Sequence, residues 1–110
     1  MTYKEVATMV SSIGVPYAYY QFPEDTAQPT PFVCFYYPGD NDLKADDSNY
    51  AIIRSLTIEL YTDEKDFTLE ATVESVLTSN GLPFSRTESY INSEKMYLIT
   101  YQTEVVINGE

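Results

Sequence analysis

The sequence predicts an α+β fold: one mainly antiparallel sheet of about five strands with two helices packed on it, in the order α-β-β-β-α-β-β. Three observations carry this. Two segments repeat apolar residues at helical period between recognisable caps. The remaining apolar residues fall in runs rich in β-branched and aromatic side chains. The 110-residue length and 44% apolar content suit one core, so residues 1–110 are expected to form one domain.

The first helix is predicted over residues 2–13. Thr2 and Glu5 have capping-box spacing, and Tyr3, Val6, Ala7, Val10 and Ile13 share a face, while Lys4, Glu5, Thr8, Ser11 and Ser12 make the wet side. Gly14 stands where a left-handed cap belongs. Strands are predicted over 15–22 and 31–37, joined by a proline-dense connector containing Pro23, Glu24, Asp25, Pro29 and Pro31. A polar loop over 38–49 precedes the clearest strand, 50–62. There Tyr50, Ile52, Leu56, Ile58 and Leu60 lie on one face, interrupted by Arg54, and Ile53, Ser55, Thr57, Glu59 and Tyr61 lie on the other. The second helix is predicted over 66–79, with Asp66 as N-cap, a stripe of Leu69, Val73, Val76 and Leu77, and Asn80-Gly81 at its end. Strands over 83–91 and 95–107, separated by Asn92-Ser93-Glu94, read as an antiparallel hairpin.

Seventeen acidic against six basic residues give a formal charge of −11, which repels phosphate backbones and argues against nucleic-acid binding through a basic face. Histidine and tryptophan are absent. The commonest general base and the commonest transition-metal ligand are therefore missing. Cys34 is the single cysteine, and inside Phe32-Val33-Cys34-Phe35 it reads as a small buried hydrophobe. Residues 1–5 show no charged-then-apolar leader, and no apolar run approaches the roughly 20 residues of a membrane helix.

Motifs for chemistry fail one by one. Counted from Asp40 as an EF-hand loop, the fifth, sixth and twelfth positions hold Lys44, Ala45 and Ala51, where an oxygen ligand, Gly and Glu are required. Glu24-Asp25, Asp63-Glu64 and Glu70/Glu74 are carboxylate pairs of the kind glycoside hydrolysis uses, but 17 carboxylates make accidental pairs, and Glu70/Glu74 read as a wet helix face. No Ser has a His partner, and the glycines are isolated. No catalytic, cofactor or metal residue is expected. The unusual feature is eleven tyrosines. Adjacent pairs such as Tyr19-Tyr20 and Tyr36-Tyr37 point to opposite faces of a strand, so some must lie outside the core, where tyrosine suits protein interfaces.

Phe22-Pro23-Glu24-Asp25, Pro31-Phe32-Val33, Tyr36-Tyr37, Ala45-Asp46, Tyr50, the run Ile58-Glu59-Leu60-Tyr61-Thr62, Lys65-Asp66 and Ser93-Glu94-Lys95-Met96-Tyr97 through Tyr101 resemble small tail-completion or tail-terminator proteins of long-tailed phages and prophages of Gram-positive bacteria. The resemblance spans about residues 17–101 and is a matter of pattern, with no catalytic signature. It implies a small α+β fold and a ring, typically of six copies, that caps the tail tube at the head–tail junction and lets DNA pass. It also implies a virion location after synthesis in the host cytoplasm, and contact with the major tail protein and a head-completion or connector protein. Tyr36, Tyr37, Tyr50 and Tyr61 are the expected interface residues, and Asp40, Asp42, Asp46 and Asp47 the expected pore or assembly loop. The alternatives are a head–tail connector or other minor capsid protein and, in a different class, an acidic DNA mimic; a carboxylate-based hydrolase is the last.

Overall fold

The structure, a computed structural model, describes residues 1–23, 28–45 and 48–108, with side chains described outside 43–51. Helix α1 (Tyr3–Ser11) starts at the expected box: the Glu5 N–H donates to Thr2 Oγ1 at 3.0 Å and the Thr2 N–H donates to Glu5 Oε1 at 2.8 Å. These bonds hold the Glu5 carboxyl below its ordinary pKa. Two strands follow, β1 (Tyr17–Tyr19) and β2 (Phe32–Tyr36), then β3 (Leu43–Ala45) and the 15-residue β4 (Ser48–Thr62). Helix α2 (Phe67–Ser79) is capped by Asp66, whose carboxylate accepts the Leu69 N–H at 2.9 Å. It ends in a Schellman turn, with Gly81 at φ +71°, the Leu82 N–H on the Leu77 carbonyl and the Gly81 N–H on the Thr78 carbonyl, both at 3.0 Å. The hairpin β5 (Ser85–Ile91) and β6 (Met96–Ile107) closes the chain.

The sheet order is β1-β2-β4-β6-β5. Every pairing is antiparallel except β1 with β2, where Tyr17, Ala18 and Tyr19 face Val33, Cys34 and Phe35 in parallel register. The α+β class, the two helices and the element order are as predicted. Two details differ. The first strand is three residues long because Tyr20 turns to φ +69° and ends it. The predicted loop over 38–49 contains β3, which pairs antiparallel with the start of β4.

Both helices cover one sheet face. Val6, Met9, Val10 and Ile13 from the first helical segment meet Val73 and Leu77 from α2 over Val33, Phe35, Leu56, Ile58, Leu60, Ile99, Tyr101 and Val105. That is the even-numbered face of β4 and the odd-numbered face of β6, as their antiparallel register requires. Among the described residues, no helix lies on the opposite face.

Residues 48–51 of β4 run past the last β6 partner, Ile107, and among the described residues they pair with β3 alone. The β3–β4 hairpin therefore extends beyond the sheet as an arm. The molecule measures 50 × 30 × 22 Å, with a radius of gyration of 15.0 Å. A compact chain of this length has about 13 Å.

Candidate assembly surface

The four candidate tyrosines do not form one patch. Tyr36 and Tyr61 lie on the helix-free face, together with Phe32, Cys34 and Glu59, as the β2–β4 register dictates. Tyr37 turns to the helix side, where it packs against Tyr3 (ring centroids 5.2 Å) and Tyr19 (6.0 Å). Burial pushes its phenol up to about 12. The side chain of Tyr50 lies outside the described residues. Adjacent tyrosines thus divide between faces as alternation requires, and Tyr20, at its positive φ, swings onto Tyr36 at 5.1 Å.

On the helix-free face, Tyr61 stacks on Phe32 (4.7 Å, 18°), and Phe22 meets Phe32 edge-on at 5.4 Å. Glu59 sits between the tyrosines. Its Oε1 accepts the Tyr61 hydroxyl at 2.9 Å and its Oε2 accepts the Tyr36 hydroxyl at 3.3 Å. Burial, with the Glu59 charge as the second cause, raises both phenols, so they stay protonated donors. The same two causes push the Cys34 thiol up to about 11. With 4% of its surface exposed, Cys34 is the small buried hydrophobe its neighbours suggested. These rings border a cavity of about 580 Å³ that opens to solvent and reaches Glu94 and Met96 at the β5–β6 turn. Glu59, Phe22 and Phe32 were not singled out as site residues from sequence. The signal was there in the spacing Phe32-x-Cys34-x-Tyr36 opposite Glu59-x-Tyr61, which puts all five on one face once the two strands pair.

The candidate aspartates also separate. Asp42 accepts the Arg54 guanidinium at 2.6 Å and the Ile53 N–H at 2.8 Å, which anchors the base of the arm. Asp40 is exposed and bridges Arg54 through the backbone. Asp46 and Asp47 lie outside the described residues, as do Glu24 and Asp25.

Glu70 corrects the expectation of a wet helix face. It is 4% exposed and pairs with Lys65 (2.6 Å) and with Arg86, which also reaches Glu74 (3.4 Å) and Glu88 (3.5 Å). The buried Tyr101 hydroxyl donates to Glu74 at 2.9 Å. Periodicity placed Glu70 beside the apolar stripe but could not show that Lys65 and Arg86 converge on it. Among the described residues no three carboxylate or thiol groups gather as a metal site, and no helix is long and apolar enough to cross a membrane.

No family model matches the sequence, and no curated protein matches it. Among solved structures, the chain is similar to a chain of the virion of a native gene transfer agent particle, with a TM-score of 0.64 and 14% identity, covering 94% of this chain and 86% of that one. The likeness is one of fold. It spans nearly the whole of this chain.

Proposed function

We propose that the protein is a non-enzymatic structural component of a phage-like virion, and that it acts there as a tail-terminator or tail-completion protein. The observation that carries the proposal is the fold match along nearly the whole chain to a component of a virion particle. The resemblance of residues 17–101 to tail-completion proteins points the same way by an independent route.

In this role, copies close into a ring, six being the number the resemblance implies, on the end of the tail tube at the head–tail junction. The major tail protein lies on one side and a head-completion or connector protein on the other. A closed ring needs two different surfaces that meet head to tail. The projecting β3–β4 arm and the helix-free sheet face are two such surfaces on one chain. The charge of −11 suits a passage for DNA, because an acidic wall does not hold the phosphate backbone. A DNA-mimic role is less well supported, since Asp42, Glu70, Glu74 and Glu88 are engaged by Arg54, Lys65 and Arg86 and do not form a free phosphate-like array.

Native mass spectrometry over a concentration series, alone and with purified tubes of the cognate major tail protein, tests the proposal. A closed-ring stoichiometry on its own or on tube ends is expected. A protein that stays monomeric and ignores tube ends would overturn the role. Alanine at Tyr36, Tyr37, Tyr50 and Tyr61 together should block assembly, and a fully infectious quadruple variant would remove these residues from the interface.

A further inference from the structure

The cavity on the helix-free face is walled by rings and has a carboxylate at its base. Tyr20, Phe22, Phe32, Tyr36 and Tyr61 border it, and Glu59 lies between the two tyrosines that donate to it. A carboxylate offers about four acceptor positions, of which the two phenols occupy two. Among the described residues no cation pairs with Glu59, whereas Arg54, Lys65 and Arg86 all pair with carboxylates elsewhere. The volume of about 580 Å³ accommodates a long side chain with part of its backbone.

We propose that this cavity is a docking site for an arginine side chain of a different protein, with the guanidinium on Glu59 and its flat faces against the rings. Charge complementarity selects a cation, because Glu59 and Glu94 line the cavity and, among the described residues, no Lys or Arg does. Ring walls select arginine over lysine, since guanidinium is planar, stacks on aromatic faces and is more weakly hydrated than an ammonium. A second copy of this chain does not have the side chain to spare. Its two arginines are Arg54, held by Asp42, and Arg86, held by Glu70 and Glu74. The arginine therefore comes from another protein. This inference goes beyond the tail-completion proposal and does not depend on ring closure, so either can fail without the other.

The test is an NMR titration of the purified full-length protein with a capped pentapeptide carrying one central arginine, observed at the tyrosine ring signals. The control peptide carries citrulline, which keeps the shape and lacks the charge. Saturable shifts of the Tyr36 and Tyr61 rings are expected with the arginine peptide, and binding about tenfold weaker with citrulline or in Glu59→Gln, as expected for losing a charge-assisted bond. Glu104→Gln, a change outside the cavity, should bind as the wild type does. The amide spectrum shows whether Glu59→Gln is folded. If it is not, Phe22→Ala removes one wall from the connector and should weaken binding without touching the carboxylate. Equal binding of the two peptides, undiminished binding by the folded variant, or no saturable shift at all would overturn the proposal.

Discussion

Neutralising Glu70 removes the centre of the ion cluster that ties α2 to β5. Glu70→Gln keeps the shape of the side chain but leaves Lys65 and Arg86 facing an amide in a site 4% exposed. Removing one partner of a fully buried pair costs about 3–5 kcal/mol, while an exposed pair contributes about 0–1 kcal/mol. Here the acid is buried, but the cations are 21% and 35% exposed. Each also keeps a second carboxylate, Glu88 for Lys65 and Glu74 for Arg86. Water and these second partners absorb part of the loss, which places the cost at about 2 kcal/mol. For a domain of this size that is roughly 10 °C in Tm. Urea unfolding at pH 7 should show a lower midpoint at unchanged slope, since the surface exposed on unfolding stays the same. A variant within about 0.5 kcal/mol of wild type would refute the reasoning, because solvent would then already screen the cluster as it does an ordinary surface pair.

Three further outcomes are expected. Gly81→Ala should cost about 1 kcal/mol in urea unfolding, from φ alone, because a Cβ there meets nothing within 4 Å. The raised Cys34 and Tyr37 groups favour the protonated form in the folded state, so their contribution is complete below their unfolded pKa values and is lost as pH rises through about 11 and about 12. The unfolding midpoint should therefore fall from about pH 9 upward, and at pH 8 a thiol reagent should label Cys34 far more slowly than a free cysteine, because its raised thiol stays protonated. Asp42→Ala releases the Ile53 N–H and the Arg54 guanidinium at the base of the arm. Hydrogen exchange at Ile53 should quicken, and limited proteolysis should cut first within 38–55, while exchange in β6 is unchanged.

What could be read from sequence was whatever depends on near neighbours. Thr2 and Glu5, Asp66 and Leu69, and Asn80-Gly81 act within one turn of chain, so the helix ends were legible. Alternation in residues 50–62 placed Leu56, Ile58 and Leu60 inside because a strand has only two faces. The misses involve partners supplied by other elements, whatever their distance along the chain. Leu43-Lys44-Ala45 is too short and too polar in its surroundings to announce a strand, and it becomes one through register against β4. Glu70 is buried because Lys65, five residues before it, and Arg86, sixteen after, arrive from other elements. The Glu59 cavity likewise needs β2, β4 and the turn at Tyr20 to be brought together.

The open sheet face follows from how the chain divides its apolar residues. Two helices with one apolar stripe each can cover one face of a sheet, and both stripes go to the face of Leu56, Ile58 and Leu60. Among the described residues no third helix remains for the other face, yet that face carries Phe32, Tyr36 and Tyr61 rather than only small polar groups. A monomer that only had to stay soluble gains nothing from rings there, since polar residues would hydrate better at the same strand positions. Tyrosine and a carboxylate are instead what a surface needs if it is to be wet before assembly and covered afterwards, because each keeps a hydrogen-bonding end in water while offering its area to a partner. The arm is a second such feature, where β4 continues past its last β6 partner and pairs with β3. Both features suit the proposed assembly role, since a closed ring needs two different surfaces that meet head to tail.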